Sequence, residues 1–208
     1  MSYIITIGRQ YGSGGHEIGE KLAQKLNIPF YDNALIDRVA KESGLSKDII
    51  NEHDEKPTAS FLYNLVMDPY SVVYSRGSSM NDIPYGQKIF LAQFNTVKNI
   101  ADEGPCVIVG RCADYILKDR KDVVKIFIYA DKEFRAIRIL AENSDINPAK
   151  INDILDKKDR NRASYYNFYS DSKWGNASSY DLCINSSKLG IENTVKAILS
   201  YIEILEKN

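Results

Sequence analysis

An α/β fold, a three-layer α/β/α arrangement around a five-stranded and mainly parallel sheet, is predicted for this chain by three observations. Short runs rich in β-branched residues alternate with stretches of helical periodicity along most of the 208 residues. The run Cys106-Val107-Ile108-Val109-Gly110 is apolar throughout and Val123 to Tyr129 repeats its signature, as expected of interior parallel strands covered on both faces. The opening run, Ile4-Ile5-Thr6-Ile7, passes directly into a loop with glycines at 8, 12, 14 and 15 and then into a helical pattern.

Taken in order, the first helix starts at His16 and carries Ile18, Leu22, Ala23 and Leu26 at helix spacing. Ile28-Pro29-Phe30-Tyr31-Asp32 reads as a second strand. Asp32 or Asn33 then caps a helix bearing Leu35, Ile36, Val39 and Ala40, which Ser43-Gly44 ends. A short helical piece from Ser46 to Glu55 stops at Pro57. Thr58 to Gln87 has two prolines, several serines and aperiodic aromatics, and reads as an inserted lobe around a helical segment from Phe61 to Met67. From Gln87 to Glu103 a helix places Ile89, Phe90, Phe94, Val97 and Ile100 on one face, and Gly104-Pro105 stops it. After strands three and four, Asp131-Lys132-Glu133 opens a helix. Asn147-Pro148 opens another, which runs through Ile151, Ile154 and Leu155 into the charged stretch from Asp156 to Arg162. Tyr180 to Ile184 is the fifth strand and Ile191 to Leu205 the closing helix. The whole forms one domain, residues 1–208.

Composition narrows the function. A formal net charge of -1 argues against binding nucleic acid through bulk electrostatics. Cys106, Cys112 and Cys183 lack metal-ligand spacing and read as small buried hydrophobes in a reducing compartment, so a cytoplasmic location is expected. The strand begins almost at the first residue without a charged-then-apolar leader, and no apolar run reaches the ~18 residues of a membrane helix. A soluble protein with no membrane partner is therefore expected.

A strand–glycine loop–helix junction favours anions, because glycines let amides turn inward and the first helical turn leaves unsatisfied donors and partial positive charge. The P-loop pattern G-x-x-x-x-G-K-[ST] shares this context but adds a lysine for the β/γ-phosphates and a hydroxyl for Mg²⁺. Here those slots fall on Gly15 and Glu17, and a shift of one puts His16 in the lysine slot. Arg9, His16 and Lys21 are the candidate replacement cations. Ligands of an open parallel sheet sit at the carboxyl ends of its strands. That rule gathers Gly8 to Gly15, Gly110-Arg111-Cys112-Ala113-Asp114 and Ala130-Asp131 on one rim, with Asp159 to Arg162 folding over it.

These motifs, in this order, resemble the cytidylate kinases, and most closely the cytidylate kinase-like branch of the P-loop nucleoside monophosphate kinases. The match is carried by Gly8 to Gly19, Val107 to Asp114, Lys125 to Arg138, Asp159-Arg160-Asn161-Arg162-Ala163 and Tyr180 to Ser187. The resemblance implies transfer of the γ-phosphoryl group of ATP, with Mg²⁺, to a nucleoside monophosphate such as CMP. It makes residues 58–87 an acceptor-side insert and about 148–175 a lid. By the same resemblance Gly8, Arg9, Gly12, Ser13, Gly14, Gly15, His16, Glu17 and Arg160 bind the donor. Arg111 touches the acceptor phosphate, Arg162 reaches the phosphates from the lid, and Asp159 holds the acceptor sugar or orders the lid. Asp32 begins the acceptor lobe or serves as a helix cap; Asp114 contacts Mg²⁺ or acceptor, or simply starts a helix. Small-molecule nucleotides are the implied partners, and a homodimer is left open.

Departures from the family pattern are concentrated in charges. The positions of the lysine, the hydroxyl, two aspartates flanking the Gly-Arg pair and a further lid arginine hold Gly15, Glu17, Val109, Cys112 and Leu155. The working expectation is that Glu17 binds the metal, with Asp114 as the second carboxylate, and that His16 or Arg9 replaces the lysine. Two rival readings follow from the same residues: a nucleotide sensor that has lost efficient transfer, or a kinase with a non-nucleotide acceptor.

Overall fold

The computed structural model describes residues 3–53, 55 and 85–207. The expected insert, including the helical piece from Phe61 to Met67, lies almost wholly outside them. Within them the sheet has five strands: β1 (Ile4–Arg9), β2 (Phe30–Tyr31), β3 (Val107–Val109), β4 (Val123–Tyr129) and β5 (Leu182–Asn185). Their order is β2-β3-β1-β4-β5, and every pairing is parallel. The chain therefore crosses from one side of β1 to the other, and the switch point lies where β1 meets β3 and β4.

Alternation along β1 explains the layers. Ile4, with Ile108 of β3, faces a core formed by Leu35, Val39, Val97 and Ile100. Ile5 and Ile7, with Val107 and Val109, face the opposite core of Ile18, Leu22, Val195 and Ile198. The first core is supplied by α2 (Asn33–Ser43), α3 (Lys47–His53) and α4 (Tyr85–Glu103); the second is supplied by α1 (Gly15–Leu26) and α8 (Ser186–Glu206). Strands buried on both faces must be apolar at successive positions, which is why β3 reads Val-Ile-Val.

The remaining helices serve the rim. They are α5 (Ala113–Ile116), α6 (Lys132–Glu142) and α7 (Ile151–Tyr169), the last preceded by a 3-10 turn (Pro148–Lys150) that Asn147 caps through Ala149. Packing of Ile139 against Ile151 and Leu155 joins α6 to α7. Further along, Tyr165, Tyr166 and Tyr169 pack on Cys112 and Phe90, with Phe90 and Tyr169 stacked at 3.7 Å. The charged stretch from Asp156 to Arg162 is thus the middle of a 19-residue helix anchored at both ends.

Element ends differ from the sequence expectation for local reasons. The closing helix begins at Ser186, five residues early, because the Asn185 side chain accepts from the Ser187 amide and caps it; Gly190, at φ 72°, ψ 167°, then breaks the helix once. Asp32 stands at the N-cap of α2 but makes no capping bond, since its carboxylate is engaged in the site. No helix among the described residues is long and apolar enough to cross a membrane.

Candidate active site

The loop between β1 and α1 is pinned on all sides. The Gln10 amide donates to the Ile128 carbonyl at 3.0 Å, the Ala130 amide donates to Gln10 Oε1 at 3.1 Å, and Ser186 Oγ donates to the Ser13 carbonyl at 2.6 Å. Gly14 adopts φ 79°, and a Cβ there would lie 2.3 Å from Ile191 Cδ1, so both conformation and space require glycine. Among the described residues, the amides of Gly12, Gly14, Gly15, His16 and Glu17 donate to no protein acceptor. A rigid turn with a run of unpartnered amides at a helix N-terminus fits a chain of phosphates.

Beside the loop three arginines line one hollow with Glu55, Asp114 and Gly110. Arg111 is thrown inward by an unusual turn: Gly110, Arg111 and Cys112 all have positive φ, at 76°, 51° and 55°. Two consecutive non-glycine residues in that region cost of order 1–3 kcal/mol each, and such strain persists only where the surroundings over-determine it. The Arg111 guanidinium is 4% exposed and binds the Asp32 carboxylate, and its Nη1 also donates to the Val109 carbonyl at 3.1 Å. The second Asp32 oxygen lies 2.5 Å from His16 Nδ1. Arg9 Nη1 and Arg162 Nε donate to the two oxygens of Glu55 at 2.6 and 3.0 Å, and Arg162 Nη1 also donates to the Arg9 carbonyl at 3.3 Å.

Asp159 ties α7 to the loop. It accepts from the Tyr11 amide at 2.8 Å and from Arg135 Nη1 at 2.6 Å, and Arg135 also donates to the Tyr11 carbonyl at 3.1 Å. One carboxylate thus fixes both the loop and Arg135 of α6. Burial alone would raise the carboxyls of Glu55 and Asp32. Arg9, Arg162 and Arg111 instead hold Glu55 well below the usual carboxylate range, and Arg111, Arg9 and the His16 bond lower Asp32. Asp114 goes the other way: burial raises it, and the Tyr166 hydroxyl that donates to it at 2.7 Å only partly offsets this.

Measured against the sequence expectations, Arg9, Arg111, Arg162, Gly8 and Asp114 line the hollow. Asp32 joins the hollow through its bond to Arg111, and Asp159 stands in the position that orders the helix over the loop. Arg160 is exposed on the outer face of α7. The replacement cations are all committed: Arg9 to Glu55, His16 to Asp32, and Lys21 to Glu192 at 2.8 Å. Glu17 forms a pair with Arg138 at 3.0 Å rather than facing Asp114. Among the described residues no group of three or more His, Cys, Asp or Glu side chains is arranged to hold a metal ion. The donor set of the described residues does not fit a Mg²⁺ held by protein groups alone.

Three residues without an assigned role in the sequence belong to the site. Arg135 and Arg138 sit one turn apart on α6, inside a motif whose i, i+3 spacing points both toward the loop. Arg138 Cζ lies 3.7 Å from where a Gly14 Cβ would be, and its buried Nε has no partner among the described residues. Glu55 carried no signal: one more glutamate beyond a short helix, brought in by tertiary structure. Leu155, in the slot of the additional lid arginine, is fully buried in the α6–α7 core.

A glycine loop and helix N-terminus at the switch point of a β2-β3-β1-β4-β5 parallel sheet, with arginines brought over it by a separate helix, define a P-loop kinase fold. Shikimate kinase from Bacteroides thetaiotaomicron has this fold too, with a TM-score of 0.56, 14% identity and coverage of 98% of this chain and 99% of that one. An uncharacterized protein from Eubacterium ventriosum is more similar, at 30% identity and a TM-score of 0.71 over 97% of this chain and 98% of that one. A cytidylate kinase from Saccharolobus islandicus is 25% identical over 206 residues, 99% of this chain and 93% of the relative. The chain belongs to the cytidylate kinase-like family, whose model matches residues 4–188. At the level of that family it is a nucleotide kinase.

Proposed function

We propose that this protein transfers the γ-phosphoryl group of ATP to a nucleoside monophosphate, CMP or a close analogue. The observation that carries the reading is the convergence of Arg9, Arg111 and Arg162 on one hollow beside a loop of unpartnered amides. Phosphoryl transfer asks chiefly for alignment and charge neutralisation, because the migrating group passes through a loose transition state. Guanidinium groups meet both demands, remaining charged when buried and gripping phosphate oxygens in a fork.

In this reading the Gly12 to Glu17 amides hold the donor phosphates. Arg111, fixed by Asp32, faces the acceptor phosphate from the strand-three turn. Arg162 reaches the migrating group from α7, whose position Asp159 and Arg135 set. An acceptor phosphate oxygen attacks the γ-phosphorus as the bond to the β,γ-bridging oxygen breaks, leaving ADP and a nucleoside diphosphate. The acceptor is already an anion, so no general base is needed.

A sensor that binds nucleotide with little turnover is the second reading, favoured by Gly15 in the lysine slot and by Glu17 beside the loop. ADP release from Mg-ATP across CMP, dCMP, UMP and AMP, run beside thermal shifts with the same ligands, separates the two. Turnover with CMP preferred supports the kinase. Stabilisation of about 2.7 kcal/mol at ~100 times Kd without ADP release selects the sensor.

A further inference from the structure

Glu55 enters the hollow from outside every motif that marks it. It stands two residues beyond α3 with φ 52°, a left-handed conformation that a non-glycine residue rarely adopts. Its side chain is 17% exposed, and its two oxygens are divided between Arg9 Nη1 at 2.6 Å and Arg162 Nε at 3.0 Å. The volume left free in the hollow is about 20 Å³, room for one water molecule and too little for a phosphate group. The two arginines therefore already grip an anion, in the geometry that serves carboxylate and phosphate alike. They also come from different parts of the machinery, Arg9 from the end of β1 and Arg162 from the helix laid over the loop.

We propose that Glu55 is an internal counter-anion holding the place of a substrate phosphate between Arg9 and Arg162, and that phosphate-bearing ligands bind by exchanging with it. The proposal rests on the reading of the hollow as a phosphate site. Without a ligand, the carboxylate keeps together two guanidinium groups, one buried and one half-buried, that would otherwise repel. With one, a terminal phosphate dianion takes both arginines and the Glu55 carboxylate is released from them. A monoanionic phosphodiester offers no more charge than the carboxylate it would displace, so the exchange selects phosphomonoesters and pyrophosphate-like ends.

The test compares wild type with Glu55→Gln, using inorganic pyrophosphate and CMP as probes, by calorimetric titration and thermal unfolding in phosphate-free buffer. A clamp held closed nine times in ten weakens apparent affinity by about tenfold, so Glu55→Gln is expected to bind both probes about tenfold tighter. Its midpoint should fall in phosphate-free buffer and recover with pyrophosphate by more than that of wild type. If the variant does not fold alone, refolding with pyrophosphate decides: recovery supports the exchange, and failure with and without the anion overturns it. Equal or weaker binding by Glu55→Gln, with wild type binding normally, overturns the exchange and leaves the site intact. If neither protein binds either probe, the phosphate-site reading falls and the exchange with it.

Discussion

Replacing Arg111 with methionine keeps most of the side-chain volume and removes the charge, which isolates what the guanidinium does for Asp32. Both partners are deeply buried, Arg111 at 4% and Asp32 at 7% exposure. Removing one member of a buried pair leaves an uncompensated charge and costs roughly 3–5 kcal/mol. His16 still holds the second Asp32 oxygen at 2.5 Å, which places the expected loss near the lower end, about 3 kcal/mol. With a urea slope of about 2 kcal/mol per molar, the midpoint should fall by about 1.5 M. Asp32→Asn added to Arg111→Met removes the stranded charge, so the double variant should recover most of the loss, with a coupling energy of about 2 kcal/mol or more. A loss under about 0.5 kcal/mol for Arg111→Met, or a double variant no more stable than the single one, would refute the reasoning that this buried pair is a coupled structural unit beside the hollow. Arg111→Lys supplies the functional half: it keeps the charge but loses the fork, so CMP-dependent stabilisation should weaken while urea stability falls less than with methionine.

Other expectations follow from the same geometry. Gly14→Ala places a Cβ 2.3 Å from Ile191 Cδ1 in a left-handed conformation; it should lower stability by about 1–2 kcal/mol or more and abolish the ATP-induced thermal shift. Leu155→Arg, which restores the family's additional lid arginine, should not restore charge to the site but unfold the α6–α7 contact, since Leu155 is fully buried; a large fall in the thermal midpoint with no gain in ADP release is expected. Glu17→Ala removes the carboxylate nearest the loop and leaves Arg138 paired only with Glu142 at 3.0 Å, so nucleotide binding in the absence of Mg²⁺ should tighten, the reverse of what a metal ligand would give; titration with EDTA present reads it. In acid, Glu55 and Asp32 are both held below the ordinary carboxylate range, so the unfolded chain binds more protons there. Stability from these two groups is complete above about pH 4.5 and is lost as pH falls through their folded values. Urea unfolding between pH 3 and 5 should show a shallower decline for Glu55→Gln than for wild type.

The sheet and most of its helices were legible because their signals are local. A strand buried on both faces must be apolar, and a glycine loop between strand and helix is itself the anion cradle; thus β3, β4 and Gly8 to Gly15 stand where the residues place them. The motifs that resemble the cytidylate kinases also brought Arg111, Asp159 and Arg162 to the rim. Partnership was not legible. Nothing in the one-dimensional pattern pairs Arg9 with Glu55 across 46 residues, or His16 with Asp32, because the first depends on how Glu55 comes to the end of β1 and the second on how α1 lies against the end of β2.

That gap changes what the degenerate loop means. Counted in sequence, the loop has lost a lysine and gained a glutamate, a net shift toward negative charge that argues against phosphate binding. Counted in space, four arginines, Arg9, Arg111, Arg138 and Arg162, stand along the loop and its neighbouring hollow, and four carboxylates, Glu17, Asp32, Glu55 and Glu142, answer them. Two of those carboxylates, Glu55 and Glu17, come from positions that can yield, the first beyond a helix end and the second 39% exposed, whereas Asp32 is locked beneath Arg111. Positive charge is therefore present but masked, and the masking is removable where a phosphate would arrive and permanent at the buried Arg111–Asp32 pair. A loop read as having lost its cation is better read as one whose cations are carried by β1, the turn after β3, α6 and α7 instead of by the loop itself.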